Sequence, residues 1–280
     1  MMRITIKDIH KMKQEGLKIP MITAYDYTSA NLVARADIPL ILVGDSLGQV
    51  ILGHDSTLPV TMDDMVRHTQ MVVRATATQH IVSDMPFMSY QIDEVQALRN
   101  AGRLMKEGGC QSIKLEGGAI VAETIRRIVA SGIPVMGHLG LTPQSVNQLG
   151  GYRVQGRDVE SAARLIKDSL LVQEAGAYAL VLELVPKELA LEITRNLDIP
   201  TIGIGSGIGC SGQVQVFHDL LGLIENFSPK HSKKYMNLFE EIVNGIMNYK
   251  HEVEENKFPT TDESFSIDQD LLERAIKLLD

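Results

Sequence analysis

Eight short apolar runs punctuate the chain, and each ends in glycine or polar residues. They are IPMITAYD (19–26), PLILVGDS (39–46), HIVSDMPF (80–87), SIKLEGG (112–118), IPVMGHLG (133–140), ALVLELVP (179–186), IPTIGIGS (199–206) and QVQVFHD (213–219). Most are continuous in hydrophobicity, as strands covered on both faces are. Between them lie stretches with an apolar stripe at helical spacing. Residues 62–78 carry acids in the first turn, where the helix dipole favours them, and 93–107 end at Gly108-Gly109, a C-terminal stop. Residues 120–130, 157–175 and 187–197 also predict helices. Eight strand–helix repeats predict an α/β chain closed into a (β/α)8 TIM barrel, with the doubly wound open sheet as rival. The gap between runs seven and eight is too short for a helix.

The pattern changes towards the end. Residues 250–266 are polar and non-periodic and read as a linker, and a last helix covers 268–279. The expected organisation is a barrel domain over 1–249 and a C-terminal extension over 250–280, with an amphipathic N-terminal helix before the first strand. Two connections are longer than a helix requires, at 53–61 after strand two and at 141–157 after strand five. Both follow strand C-termini, the face on which barrels keep their chemistry.

Composition narrows the function classes. The chain has 280 residues, 44% hydrophobic and 22% charged, with a net charge of −8. That balance argues against a nucleic-acid partner, since phosphates reward a basic surface. Two cysteines imply no disulfide framework. No apolar run suits a signal peptide or a membrane span, so the expected location is the cytoplasm.

The candidate chemistry sits where apolar runs meet polar residues. Asp45 ends strand two, Asp84 sits late in strand three, Glu116 ends strand four and Glu183 sits late in strand six. In a parallel barrel these ends share one rim. Acids in apolar runs are costly to bury unpaired, and three converging carboxylates repel unless a cation neutralises them. An all-oxygen set suits Mg²⁺, so Asp45, Asp84 and Glu116 are the expected metal residues, directly or through water. Each alone could equally cap a helix or pair with a lysine. Glu183, in an apolar strand, is the candidate general base; a rim salt bridge is the alternative. Lys114, two residues from Glu116, lies on the same side of its strand. It would hold a substrate carboxylate, steady an enolate or balance the acids. His138 is an accessory candidate, and a lone strand histidine is more often a hydrogen-bonded core residue. The glycine run 203–212 has no G-x-G-x-x-G followed by a helix, so it is not read as a nucleotide loop.

The segments TAYDY, VGDSLGQVILGHDSTLPVTMDDM, DMPFMSYQ, IKLEGG, IPVMGHLGLTPQSVNQLGGYRVQGR, LVLELVP and GIGSG together resemble the ketopantoate hydroxymethyltransferase family, from about residue 3 to about residue 250. The resemblance implies a (β/α)8 barrel that moves a one-carbon unit from 5,10-methylenetetrahydrofolate to 3-methyl-2-oxobutanoate. The product would be 2-dehydropantoate, the first committed intermediate of pantothenate and coenzyme A biosynthesis. It implies Mg²⁺ chelated by the keto acid and by Asp45, Asp84 and Glu116, substrate contacts at Asp45, Ser46, Asp84 and Lys114, and an enolate formed by proton loss to Glu183. It also implies a homo-oligomer, commonly a decamer, acting on small molecules. Ser211 stands where the family often has aspartate, and Leu184 where cysteine is frequent; both lie near strands seven and eight. Outside this family, the same acids would suit a Mg²⁺-dependent carbon–carbon lyase working without folate; a catalytically dead barrel that only binds a keto acid or a partner is the other alternative, and the retained acid set argues against it.

Overall fold

The computed structural model describes residues 2–225 and 229–279. Eight parallel strands close into one barrel in sequence order: β1 Ile19–Thr23, β2 Leu40–Val43, β3 His80–Asp84, β4 Ser112–Glu116, β5 Val135–Gly140, β6 Ala179–Glu183, β7 Thr201–Ile204 and β8 Gly212–Gln215. The (β/α)8 expectation holds, and each strand falls within or at the edge of its apolar run. No helix separates β7 from β8.

Strand periodicity sorts the side chains into two cores. Ile41, Val43, Ile81, Ile113, Leu115, Val135, Leu180 and Leu182 face the outer helices. Leu40, Leu42, Val82, Met136, Val181, Ile202, Ile204 and Val214 fill the lumen. By the same two-residue step, Asp84 follows Val82 into the lumen and Glu183 follows Val181. Lys114 and Glu116 share one parity, and His138 shares that of Met136.

The helices Met62–Ala75, Glu94–Arg103, Ala122–Ala130, Val159–Glu174 and Lys187–Asn196 lie within the predicted spans or shift by a residue. The helix Tyr27–Arg35 was not anticipated. Its signal is a capping box, in which Asp26 accepts from the Ser29 amide and Ser29 reaches back to the Asp26 amide. The run 213–219 is not all strand: β8 stops at Gln215, and Phe217–Leu221 is a short helix. The Phe217 amide donates to Thr23 Oγ1 at 3.0 Å, which turns the chain out of the sheet.

The N-terminal helix Ile6–Gln14 closes the base of the barrel, with Ile9 in the lumen core. Beside it His80 donates from Nδ1 to Ile4 O at 2.9 Å and accepts at Nε2 from Ser112 Oγ at 2.9 Å; Ser112 in turn meets Tyr178 Oη at 2.9 Å. Those roles require a neutral imidazole. Burial holds its pKa below the ordinary value, with the Arg3 charge adding to the effect. A depressed basic pKa favours folding fully above the unfolded value of about 6.5 and progressively less as pH falls below it. Urea midpoints should therefore drop from pH 7 to pH 5, and the drop should be smaller in His80→Gln than in the unmutated protein.

Residues 236–279 form a second compact unit, with helices Leu238–Glu254 and Gln269–Ile276. Helix thus runs five residues into the stretch read as linker. No helix among the described residues is long and apolar enough to cross a membrane.

Candidate active site

Strand register brings the rim residues together. Asp84 lies opposite Lys114, Glu116 opposite His138, and Gly140 opposite Glu183. The Lys114 ammonium sits 3.0 Å from Asp84 Oδ1, with both side chains buried. His138 Nδ1 is 3.3 Å from Glu116 Oε1, and His138 Nε2 is 3.3 Å from Glu183 Oε2. Gly140 has φ +94°, and a side chain there would drive its Cβ to 2.1 Å from the Glu183 carbonyl oxygen. Glycine therefore lets β5 approach β6 where Glu183 leaves the sheet.

Asp45 and Ser46 follow β2 directly. The Asp45 amide donates to Asp84 Oδ2 at 3.0 Å, and Ser46 Oγ lies 2.8 Å from the buried Tyr25 hydroxyl. Asp45, Ser46, Asp84, Lys114, Glu116, His138 and Glu183 all line one cavity of about 480 Å³. His54, Asp55 and Thr57 from the first long loop line it too, as do Leu141, Pro143 and Tyr152 from the second. Of the glycine run 203–212 only Ile204 reaches it, while Leu184, at φ +47°, lies on its wall.

Gln144 carried no charge to mark it in the sequence, yet it links the acids. Its amide donates to Glu116 Oε2 at 3.1 Å, and its Nε2 donates to Asp45 Oδ2 at 2.8 Å and to Met85 O at 2.9 Å. Its Oε1 accepts from the Tyr90 hydroxyl at 2.8 Å. Its place in a long loop after a strand C-terminus was the available signal.

The site is overcharged. Four carboxylates face one lysine. Burial, then Asp84 and Glu116, push Asp45 well above the usual carboxylate range. Burial also raises Asp84, against the pull of Lys114. Glu116 goes the other way, because His138, Lys114 and the Gln144 amide together outweigh its burial. Burial and Lys114 oppose a charge on His138, but Glu116 and Glu183 outweigh them and hold its pKa at about 9. Lys114 Nζ also lies 3.2 Å from His138 Nδ1. It can donate there only when His138 is neutral, so this contact competes with the pairing to Glu116. We take the raised direction for His138, because the surrounding acids exceed the single lysine.

Asp84 Oδ1 and Glu116 Oε1 are buried with a single ionic neighbour each, Lys114 Nζ at 3.0 Å and His138 Nδ1 at 3.3 Å, and no further hydrogen bond among the described residues. An all-oxygen, negatively overcharged and partly unsatisfied set fits a hard divalent cation. Among the described residues no three His, Cys, Asp or Glu side chains are spaced to hold a metal ion. The fit is therefore one or two acids directly and the rest through water, as such cations accept.

A family model described as ketopantoate hydroxymethyltransferase matches residues 3–261. The chain belongs to this family. A 3-methyl-2-oxobutanoate hydroxymethyltransferase from Chloroflexus aurantiacus is 56% identical over 98% of this chain and 97% of its own length. One from Dehalococcoides mccartyi is 53% identical over 99% and 98%. The match continues past residue 250, where the sequence reading had ended it. Among solved structures, 2,3-dimethylmalate lyase superposes with a TM-score of 0.59 at 15% identity, covering 98% of this chain and 94% of the lyase. Phosphonopyruvate hydrolase in complex with oxalate and Mg²⁺ gives 0.59 at 10% identity, covering 98% and 96%. At such identity these likenesses show the fold alone. As a member of the ketopantoate hydroxymethyltransferase family, the chain is a transferase built on a TIM barrel.

Proposed function

We propose that this transferase moves a hydroxymethyl group from 5,10-methylenetetrahydrofolate to 3-methyl-2-oxobutanoate, giving 2-dehydropantoate for pantothenate and coenzyme A synthesis. The observation that carries it is the meeting of Asp45, Asp84, Glu116 and Lys114 with Glu183 around His138 in one cavity.

Asp45 and Asp84 would hold Mg²⁺, with Glu116 acting through water. When bound, the ion supplies positive charge that acidifies the proton on C3 of the keto acid. Ser46 and Lys114 hold the substrate carboxylate, and Lys114 also balances charge developing on the keto oxygen. Glu183, exposed to the cavity and steered by His138 Nε2, takes the C3 proton. The carbon so freed bonds to the folate's methylene carbon. Two carbon–nitrogen bonds hold that methylene carbon: one breaks as the new carbon–carbon bond forms, the other as water supplies the hydroxyl. The two nitrogens take up the C3 proton and the second proton of water to give tetrahydrofolate. Residues of the loops 53–61 and 141–157 line the cavity in which this takes place.

Purified protein with both substrates and Mg²⁺ should yield 2-dehydropantoate and tetrahydrofolate in equal amounts, read by mass spectrometry. Undiminished keto-acid turnover without folate would instead favour a lyase, and no product at all would reject the reading.

A further inference from the structure

The acid cluster occupies only one side of the cavity. In a closed eight-stranded order β8 lies across the ring from β4, which carries Lys114 and Glu116. On that far side the chain leaves β8 into the helix Phe217–Leu221, and Asp219 lines the cavity. Asp219 is 8% exposed. Its carboxylate has no hydrogen bond or ion pair among the described residues, although the charges of His231 and Lys234 lie near enough to act on it. The helix that carries it is held by the Phe217 amide on Thr23 Oγ1 and by the Tyr235 amide donating to Leu220 O at 2.8 Å. The cavity lining also includes the apolar Leu42, Val181, Ile204, Val214 and Val216, together with Thr23 and His231.

A carboxylate without a protein donor that opens onto a cavity wall is an acceptor for something that enters. Three classes can be compared. A keto acid is an anion, and Asp219 would repel it. A cation would meet His231 and Lys234 close by. A neutral planar ring with two adjacent N–H donors on one edge suits both the apolar wall and the carboxylate, since two parallel N–H···O bonds match two carboxylate oxygens. The cavity, at about 480 Å³, is in the range of about 300–1,000 Å³ that larger ligands fill.

We propose that Asp219 is the specificity-determining acceptor for the one-carbon donor, taking the paired ring N–H and 2-amino donors of its pteridine edge. The ring then lies along Leu42, Val181, Ile204 and Val214, and its methylene carbon is directed towards the Lys114–Glu183 side. This rests on the reading that a folate is the co-substrate.

The test is equilibrium binding of tetrahydrofolate to the full-length protein and to Asp219→Asn, which keeps the shape but presents an amide to the ring donors. The variant should raise Kd by about tenfold or more, the worth of a lost charged hydrogen bond. A Kd within about twofold of the unmutated protein overturns the proposal, since a buried charged bond cannot be so cheap to lose. A second arm needs no variant. The unmutated protein should bind a 2-desamino tetrahydrofolate at least about tenfold more weakly than tetrahydrofolate, and equal binding overturns the proposal. If the unmutated protein forms 2-dehydropantoate but Asp219→Asn binds folate normally, only the Asp219 assignment fails. If it neither binds tetrahydrofolate nor forms product, the functional reading fails and this assignment with it.

Discussion

Replacing Glu183 with glutamine should slow exchange of the C3 proton of 3-methyl-2-oxobutanoate in deuterated water by about 10²–10⁴-fold, the usual worth of a positioned general base. Glutamine keeps the length and the contact with His138 but cannot accept a proton from carbon. Keto-acid binding should change little, because the groups assigned to the carboxylate lie just after β2 and on β4 and Glu183 lies on β6. Proton NMR of the C3 signal, with Mg²⁺ present and folate absent, reads the exchange without the rest of the reaction. Exchange at the unmutated rate would move the base elsewhere.

Asp84→Ala should abolish turnover together with its dependence on Mg²⁺, and should destabilise the fold as well. Asp84 joins two functions: Oδ1 faces the buried Lys114 ammonium at 3.0 Å and Oδ2 accepts the Asp45 amide. Removing Asp84 takes away the nearest partner of Lys114, but Asp45 and Glu116 still act on that charge, so the loss should fall below the about 3–5 kcal/mol of a buried pair left with no other partner. Chemical denaturation measures that loss. Product formation against Mg²⁺ concentration measures the catalytic one, and near-normal turnover that still needs Mg²⁺ would reject the metal assignment. Asp84→Asn separates the effects, because it keeps an acceptor for the Asp45 amide while removing the charge.

The eight strands were legible because each is buried on both faces, which writes a continuous apolar run. The rim acids were legible for the complementary reason: a carboxylate at the end of such a run contradicts its surroundings and calls for a partner. Other features left weaker traces. The helix Tyr27–Arg35 is short, and only its Asp26–Ser29 cap announces it. The end of β8 was misread because Q-V-Q-V alternates as a strand does, while a single bond from Phe217 to Thr23, far away in sequence, turns the chain. Gln144 is neutral and lies in a loop, so nothing local distinguishes it from its neighbours. Asp219 was absorbed into a supposed strand, and its exposure to the cavity appears only once that strand ends early.

What the sequence determined by itself was local: the number of strands, the parity that sends Asp84 and Glu183 inward and puts Lys114 on the face of Glu116, and the rim at which they end. These follow from a two-residue side-chain period and from the cost of burying charge, both of which act over a few residues. The tertiary structure decided which of these groups meet. Ring closure and strand register set Asp84 against Lys114 and His138 between Glu116 and Glu183. A loop from beyond β5 placed Gln144 on two acids, and β8 came to lie opposite β4. Such contacts join segments far apart in the chain, 99 residues for Gln144 and Asp45 and 194 for Phe217 and Thr23, and no periodicity within a segment encodes them.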